Sequence, residues 1–329
     1  MLIFILALIV FFILEITYFK IANHFNIIDK PNLRSSHTQI TLRGGGVIFP
    51  IALIIGILIY EPTQIYLALG VFSIATVSFL DDILTLNNKL RIGVHLLSVM
   101  ILLAQIFTNQ NIPFSLLFNL ASCFLILASI IIIIGIINAY NFMDGINGIT
   151  FLYSFVALIS CLYIQKYLAI PLINENIFYL IIASLIVFGY FNLRKKAKAF
   201  AGDVGSIAMA LIISFFIGTL ILVTNDFKWV LLLGVYGLDA VATIFCRIIR
   251  KENIFDAHRS HFYQYLANDK KWSHITISIL YAITQMILNI ILIYVNNYLF
   301  IALIFIALVI LYASTRLKLE GKEKLFVKY

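Results

Sequence analysis

Charged residues are scarce in this chain: they make up 12% of its 329 residues, about half the share found in soluble domains. Hydrophobic residues account for 63%, more apolar side chain than a water-soluble fold of this size can bury. The three cysteines, Cys123, Cys161 and Cys246, lie in or beside apolar blocks and have no metal-binding spacing, so we interpret them as packing residues. This composition excludes a soluble globular enzyme, a disordered protein and a secreted disulfide scaffold.

Apolar blocks separated by short polar breaks fill most of the sequence. Eleven blocks predict an all-α, polytopic membrane protein with about 11 transmembrane helices in a single domain over residues 1–329. The first block has no basic segment or cleavage site, so it is expected to be a retained span rather than a signal peptide. The blocks cover residues 1–19, 47–60, 65–80, 92–107, 116–137, 149–164, 177–191, 206–223, 229–246, 275–294 and 299–314.

The distribution of basic residues predicts the orientation. If the N-terminus is outside, 21 of the 23 Lys and Arg residues fall on the inner side, and only Lys166 and Lys228 fall outside. Cytoplasmic segments carry such an excess, so the C-terminus is expected in the cytoplasm and the net charge of +8 needs no nucleic acid to explain it. The inner segments are 20–46, 81–91, 138–148, 192–205, 247–274 and 315–329.

Polar residues that could carry chemistry are concentrated in the first five of these inner segments. A site at one membrane boundary can take one reactant from water and another from the bilayer, whereas transporters are expected to place polar groups near the midplane. Eleven spans suit a secondary transporter equally well, so that alternative stays open at this point.

The first two polar segments contain glycines and paired carboxylates. Arg34 and then Arg43 precede Gly44, Gly45 and Gly46, whose backbone N–H groups could approach an anion, or which could form a hinge. In the second segment Asp81 and Asp82 are followed by Lys89 and Arg91. Two adjacent carboxylates are costly unless a cation or a substrate offsets their repulsion, the alternative being a solvated helix end.

The third segment is rich in side-chain oxygen and has no basic residue. Asn138, Asn141 and Asp144 recur every three residues, so consecutive members occupy neighbouring helical positions, and Gly145 and Gly148 are expected to end the helix. Such oxygens suit a hard cation such as Mg²⁺, the alternative being a polar capping turn.

The remaining two segments contain an acidic helix start and a pair of histidines. Asp203 opens an apolar block, where it could supply a metal oxygen or act as an ordinary N-cap, while Gly205 and Ser206 could offer N–H donors. His258, Arg259 and His261 could hold a diphosphate or a sugar, with zinc a weaker alternative. We interpret Asp239 as the one acidic residue clearly inside an apolar span, where it could pair with an arginine or line the site.

Taken in order, the motifs from Asp29-Lys30-Pro31 to His258-Arg259-Ser260-His261 resemble the polyprenyl-phosphate N-acetylhexosamine-1-phosphate transferases. The resemblance implies transfer of a sugar phosphate from a UDP-N-acetylhexosamine to a polyprenyl phosphate lipid, with release of UMP, at the cytoplasmic face of a bacterial inner membrane. It implies Mg²⁺, with Mn²⁺ as the alternative, and it leaves a homodimer open. The metal ligands it implies are Asn141 and Asp203.

The resemblance also implies the other roles. Catalytic residues would be Asp81, Asp82, Asp144 and Asp203. The family role implied for Asp81 and Asp82 is a base that deprotonates the lipid phosphate; positioning, help in holding the metal and a covalent aspartyl intermediate are the alternatives. Asn147 would meet the uridine end of the nucleotide. The substrate-binding residues would be Asn138, Asn147, Lys89, Arg91, His258, Arg259, His261, Arg34, Gly44 and Gly45.

The sequence departs from the family pattern at positions that could indicate which sugar is transferred. Thr41 and Leu42 precede Arg43 where a proline is usual, and Asn147 stands where bacterial members often have a second aspartate. The last motif reads His-Arg-Ser-His, which is closer to the O-antigen-initiating subgroup than to the phospho-MurNAc-pentapeptide transferases of peptidoglycan synthesis. The peptidoglycan enzyme is the alternative within the family.

Overall fold

Long helices dominate the computed structural model, which describes residues 2–31, 36, 39–113, 119–253 and 258–327. Two short strands, β1 (Ile28–Asp29) and β2 (Thr41–Leu42), pair antiparallel. The helices are α1 (Leu2–His24), α2 (Ile48–Tyr60), α3 (Ile65–Leu84), α4 (Asn88–Asn109), α5 (Leu120–Met143), α6 (Ile149–Tyr167), α7 (Glu175–Asn192), α8 (Gly202–Thr224), α9 (Gly234–Ile249), α10 (Phe262–Asn268), α11 (His274–Tyr294), α12 (Tyr298–Glu320) and α13 (Lys322–Phe326).

Among the described residues, ten helical stretches are long and apolar enough to cross a membrane. They correspond to ten of the eleven predicted blocks. The block that becomes α2 is shorter: with its preceding 3₁₀ turn it runs over Gly45–Tyr60, about 24 Å of helix against a hydrocarbon core of about 30 Å. The prediction of an all-helical, multi-pass membrane protein is confirmed.

Helix α8 lies at the centre of the bundle and packs against α2, α3, α4, α5 and α6. Nearly every residue from Val204 to Leu220 is buried, because the helix is apolar or small on all sides. By contrast, few residues of α5 and α12 are buried, as expected for helices that face lipid. The N-terminal end of α8 carries Asp203 and therefore brings that carboxylate to the middle of one end of the bundle.

Glycines allow the approach to α2 to touch α8 directly. A Cβ at Gly46 would lie 2.3 Å from the Cα of Gly205, closer than atoms can pack. Backbone hydrogen bonds join the same two segments: the amide of Gly45 donates to the carbonyl of Phe200 at 2.8 Å, and that of Gly46 to Ala201 at 3.0 Å. Segment 39–46 is thus attached to segment 199–205 by its backbone.

Replacing Gly46 by alanine should destabilise the protein by about 1–3 kcal/mol, because the new methyl group overpacks against α8. Gly93→Ala is the matched control, since a Cβ there meets nothing within 4 Å and alanine is the better helix former. Thermal unfolding in detergent should show a lower Tm for Gly46→Ala only. An unchanged Tm for Gly46→Ala would contradict the close approach.

Candidate active site

Three carboxylates and two guanidinium groups meet at one end of the bundle. Arg43 binds Asp82 (Nε to Oδ1, 2.7 Å) and Asp203 (Nη2 to Oδ1, 3.3 Å). Arg91 binds Asp81 (Nη1 to Oδ2, 2.9 Å) and approaches Asp203 (Nη2 to Oδ2, 3.8 Å). These residues come from the approach to α2, the end of α3, and the first turns of α4 and α8. We call the five of them the carboxylate–arginine cluster.

Asp82 joins the cluster to the start of α8. Its two carboxylate oxygens accept the backbone N–H groups of Asp203 and Val204, both at 3.1 Å. Unpaired amides at a helix N-terminus favour a negative charge, so Asp82 caps α8 from a different helix. The side chain of Asp82 is fully buried in this position. Gly202 is required beside it, since it has φ +71° and a Cβ there would lie 2.6 Å from Asp82 Oδ2.

Asp81 is held differently from its neighbour. Its Oδ1 accepts the backbone N–H of Leu86 at 2.6 Å, while its Oδ2 faces Arg91. The two carboxylates therefore serve different partners, as expected for adjacent residues that are about 100° apart on a helix. Both are held by donors, so neither is a solvated helix end.

The predicted helix end at Asp144 lies next to this cluster. Helix α5 ends at Met143, Asp144 follows as its C-cap, and the hydroxyl of Thr150 donates to Asp144 Oδ1. Burial raises the pKa of Asp144 to about 7; the negative charge of Asp203 contributes to the rise, and the hydrogen bond from Thr150 and the charge of Arg43 oppose it. A buried carboxyl of this kind is suited to a cation.

Asn141 is attached to the start of α8 through a side chain. The hydroxyl of Ser206 donates to Asn141 Oδ1 at 3.3 Å and also contacts the carbonyl of Gly202 at 3.1 Å. Asn141, Asp144 and Asp203 thus offer amide and carboxylate oxygens, the donors that Mg²⁺ prefers. In the part of the chain that the structure describes, no group of three or more His, Cys, Asp and Glu residues could hold a metal ion by itself.

Asn141, Asp144 and Asp203 form a small ligand set, which is compatible with Mg²⁺. Mg²⁺ is commonly held by one or two carboxylates together with water and substrate phosphates, which this set can supply. Three carboxylates against two guanidinium groups also leave the carboxylate–arginine cluster with one net negative charge.

The histidine segment is supported by a carboxylate in α9. His261 precedes α10, and its Nδ1 lies 3.2 Å from Asp239 Oδ1. The rings of His258 and His261 are 5.0 Å apart, and both contact Phe142 in the Asn141–Asp144 segment. Burial lowers the pKa of His258 to about 3, and the nearby His261 and Arg247 add to the effect. His258 is therefore neutral at pH 7, which makes it a hydrogen-bonding group and not a cation for a diphosphate.

A cavity of about 400 Å³ opens beside the cluster, at the same end of the bundle. Asn147 lines it and donates through Nδ2 to the carbonyl of Arg194 at 2.8 Å, and within the described part of the chain its buried Oδ1 has no hydrogen-bond partner. Basic and aromatic side chains complete the wall, among them Lys195, Lys196, Phe200, Trp272 and His274. The cavity has the size and the mixed polar and aromatic lining of a small-molecule site.

Other predicted residues occupy different surroundings. Asn138 and Lys89 are exposed, and Arg34 lies outside the described residues. The glycine prediction needs correction: the amide of Gly45 is already used by Phe200, so it does not offer its N–H to an anion. Gly44 has φ +81° and a Cβ there would meet Tyr18, which indicates a backbone turn.

The backbone N–H groups that bind a carboxylate at the start of α8 are not those of Gly205 and Ser206, which the sequence suggested. Asp82 engages the amides of Asp203 and Val204. Gly205 contacts Gly46 through its Cα, and the Ser206 hydroxyl donates to Asn141, so both residues connect α8 to neighbouring segments.

Glu15 was missed by the sequence analysis, which treated Asp239 as the one acidic residue inside a span. Glu15 lies in α1, its side chain is fully buried, and neither of its carboxyl oxygens has a hydrogen-bond partner among the described residues. Its Oε1 lies against Gly45. A carboxyl group within an apolar helix is itself a signal, because such groups are costly in a membrane and tend to be functional.

Comparison with known proteins agrees with this architecture. Residues 64–224 match the model for glycosyl transferase family 4. The chain is 28% identical over 274 residues to the probable undecaprenyl-phosphate N-acetylglucosaminyl 1-phosphate transferase of Bacillus subtilis (strain 168), which covers 80% of this chain and 76% of the relative. It is also 28% identical over 267 residues to the phospho-N-acetylmuramoyl-pentapeptide-transferase of Petrotoga mobilis, covering 74% of this chain and 80% of the relative.

The fold and the site define a multi-pass membrane enzyme with a polar centre at one end of its helical bundle. Residues 64–224 match glycosyl transferase family 4, and the chain is a phosphoglycosyl transferase that is similar to the polyprenyl-phosphate N-acetylhexosamine-1-phosphate transferases. The transporter alternative is thereby set aside. The matched region contains the carboxylate–arginine cluster apart from Arg43, and it ends before the histidine segment.

Removing Arg43 should destabilise the fold, because it leaves two buried carboxylates close together without their shared counter-charge. Loss of one partner of a buried ion pair costs about 3–5 kcal/mol, and we expect about 2 kcal/mol here because Arg43 is 34% exposed. The measurement is the unfolding free energy of Arg43→Gln in detergent.

Lys166→Gln is the control for Arg43→Gln. It breaks the exposed pair with Glu175, whose side chains are 48% and 44% exposed, and should change stability by less than about 1 kcal/mol. Equal effects of the two substitutions would show that the carboxylate–arginine cluster has no special role in stability.

Proposed function

We propose that this enzyme transfers N-acetylhexosamine 1-phosphate from a UDP-sugar to a polyprenyl phosphate, releases UMP and starts the synthesis of a lipid-linked cell-envelope glycan. The observation that carries the proposal is the position of the carboxylate–arginine cluster, at the ends of apolar helices and beside a cavity with basic walls. Such a site can meet a water-soluble nucleotide and a lipid phosphate at the same place. The B. subtilis relative supports a polyprenyl phosphate acceptor and a GlcNAc-type donor.

The nucleotide end of the donor is assigned to the 400 Å³ cavity. Phe200 and Trp272 can cover an apolar ring face, and Lys195 and Lys196 supply positive charge for phosphate. Asn147 has an unpartnered Oδ1 inside the protein, which suits a donor group on the ligand such as the N–H of a uracil ring. This supports the predicted role of Asn147 at the uridine end.

Charge neutralisation is the main task of the site, since a lipid phosphate must approach a diphosphate. Arg43 and Arg91 lie in the cluster with their guanidinium groups between carboxylates, and both can reorient part of their donor set toward phosphate oxygens. Asn141 and Asp203 would hold Mg²⁺, or Mn²⁺ in its place, with Asp144 next to them. When bound, the ion would neutralise the diphosphate and stabilise the leaving UMP.

The contacts of Asp81 and Asp82 favour positioning over proton transfer. Asp82 receives one guanidinium and two backbone donors, and Asp81 receives one of each. A phosphate monoester has a second pKa of about 6, so most of the lipid phosphate is already a dianion at pH 7 and needs little help from a base. The same contacts disfavour a covalent aspartyl intermediate, because the carboxylate oxygens are occupied.

Asp203→Asn should abolish turnover, because it removes one carboxylate from the cluster and from the proposed metal site. UMP release from a UDP-N-acetylhexosamine is measured with purified protein, polyprenyl phosphate and Mg²⁺. We expect a loss of more than about 100-fold at saturating Mg²⁺, with normal membrane insertion, and loss of any Mg²⁺-induced rise in Tm. A panel of UDP-sugars, including UDP-MurNAc-pentapeptide, identifies the donor.

Asp226→Asn is the matched control for Asp203→Asn. Asp226 lies at the opposite end of the bundle, where it caps the turn before α9, and its substitution should leave kcat close to that of the wild type. Activity of Asp203→Asn within a few-fold of wild type would refute the metal-ligand assignment. Absence of UMP release by the wild type with every donor in the panel would refute the proposed function.

We propose that the site faces the cytoplasm of a bacterial cell, with the N-terminus outside. Lys89→Cys and Lys166→Cys, made in a chain without Cys123, Cys161 and Cys246, place single exposed thiols at opposite ends of the bundle. In intact cells, a membrane-impermeant thiol reagent should label residue 166 only, and residue 89 should react once the cells are opened. The reverse labelling pattern would overturn the orientation.

A further inference from the structure

Asp239 is a buried carboxylate that receives five hydrogen bonds or polar contacts. Its Oδ1 meets His261 Nδ1, the amide of Phe262 and the hydroxyl of Thr243, each at 3.2 Å. Its Oδ2 meets the amide of Tyr263 at 3.4 Å and the hydroxyl of Tyr281 at 2.5 Å. The residue is fully buried in α9, so these contacts replace all of its water.

This surrounding determines which nitrogen of His261 carries its proton. The partners of Asp239 are backbone N–H groups and hydroxyls that can donate, and a carboxylate only accepts. The nitrogen that faces it, Nδ1, must therefore be the protonated one in the neutral ring. The other nitrogen, Nε2, is then an acceptor in the neutral ring and a donor only in the cation.

Nε2 of His261 is buried and has no hydrogen-bond partner among the described residues. A buried ring nitrogen is normally hydrogen-bonded. The contact of Nδ1 with Asp239 fixes the orientation of the ring, and therefore the direction in which Nε2 points. The ring lies beside His258 and Phe142, and Phe142 belongs to the segment that carries Asn141 and Asp144. The free nitrogen is thus next to the candidate active site.

A second group of contacts holds the same segment from α12. Arg316 donates to the carbonyl of Ser260 and, through Nη1, to the hydroxyl of Thr243 at 3.0 Å, while Glu320 binds its Nε. Because Thr243 accepts from Arg316, its own proton is free for Asp239. Ser260 and His261 are therefore fixed by α9 and α12 together, outside the region matched to the family model.

We propose that Asp239 is a positioning residue, whose carboxylate keeps the proton of His261 on Nδ1 and so presents Nε2 to the sugar-diphosphate substrate. The identity of that substrate rests on the proposed function. In the neutral ring, Nε2 accepts a hydrogen bond from a hydroxyl or amide N–H of the sugar; in the cation, it donates to a phosphate oxygen. Asp239 itself does not touch the substrate.

The proton position is tested in the wild type by ¹⁵N NMR of histidine-labelled protein in detergent, at a pH where the imidazole is neutral. His261→Gln identifies the His261 signals. We expect a protonated Nδ1 and an unprotonated Nε2 for His261, and loss of this preference in Asp239→Asn. A neutral ring with its proton on Nε2 in the wild type would overturn the inference, and that outcome does not depend on whether Asp239→Asn folds.

Tyr281→Phe separates positioning from stability. It removes one donor from the same carboxylate without touching His261, so it should lower the Tm and still keep the proton on Nδ1. If Tyr281→Phe shifts the proton as Asp239→Asn does, general loosening explains the effect and the specific role of Asp239 is refuted.

The kinetic test is a double-mutant cycle on UMP release. Asp239→Asn and His261→Gln should each lower kcat/KM, the former by about 10- to 100-fold, as is usual for a residue that orients a functional histidine. If Asp239 acts through His261, the double variant should resemble His261→Gln alone. Multiplied effects would refute the positioning role. Failure of the wild type to release UMP would refute the proposed function only, since the NMR result does not depend on substrate.

Discussion

Asp82 connects the approach to α2, the end of α3 and the start of α8, and the geometry of the site depends on it. It accepts two backbone amides of α8 and one guanidinium at once, so it satisfies a helix N-terminus that would otherwise be buried without partners. The same contact places Asp203 next to Arg43 and Arg91. A carboxylate that first completes the fold therefore also gathers the charges available to the substrates.

The site also requires small residues, because the charged side chains come together only where the backbone segments that carry them pack closely. Gly46 and Gly205 touch, and Gly202 leaves room for the oxygen of Asp82. In a membrane there is little hydrophobic force between helices, so close contact and polar bonds must supply the association. Here the glycine contact and the carboxylate–arginine cluster lie within a few residues of each other and support one another.

The site is built from two parts with different supports. The first includes the aspartates and Asn141, belongs to α3, α5 and α8, and lies within the region that matches the family. The second is the segment His258–His261, which depends on Asp239, Thr243 and Arg316 in α9 and α12. Phe142 joins the two parts through its contacts with both histidines. A substrate that spans both parts would contact the aspartates and Asn141 on one side and the histidine segment held by α9 and α12 on the other.

Much of the architecture could be predicted from local sequence, because each apolar block needs only its own composition to indicate a span. The eleven predicted blocks correspond to ten long helices and one shorter one among the described residues, and all five polar segments contribute to one end of the bundle. The motif at Asp144 also ends a helix as expected, since asparagine, aspartate and glycine have the same capping chemistry in any fold.

Pairings between distant segments could not be predicted, because they depend on how the helices are arranged around α8. No local pattern indicates that Gly45 donates to Phe200, that Asp82 caps α8, or that Asp239 holds His261. A sequence motif also does not show burial, which makes His258 neutral and leaves Glu15 without a hydrogen-bond partner in the part of the chain that the structure describes. The sequence by itself determined the membrane class, the spans and the residue types of the site, since these follow from composition and periodicity. Only the tertiary structure decided which of those residues bind one another, because desolvation and hydrogen bonding are set by neighbours that lie far away along the chain.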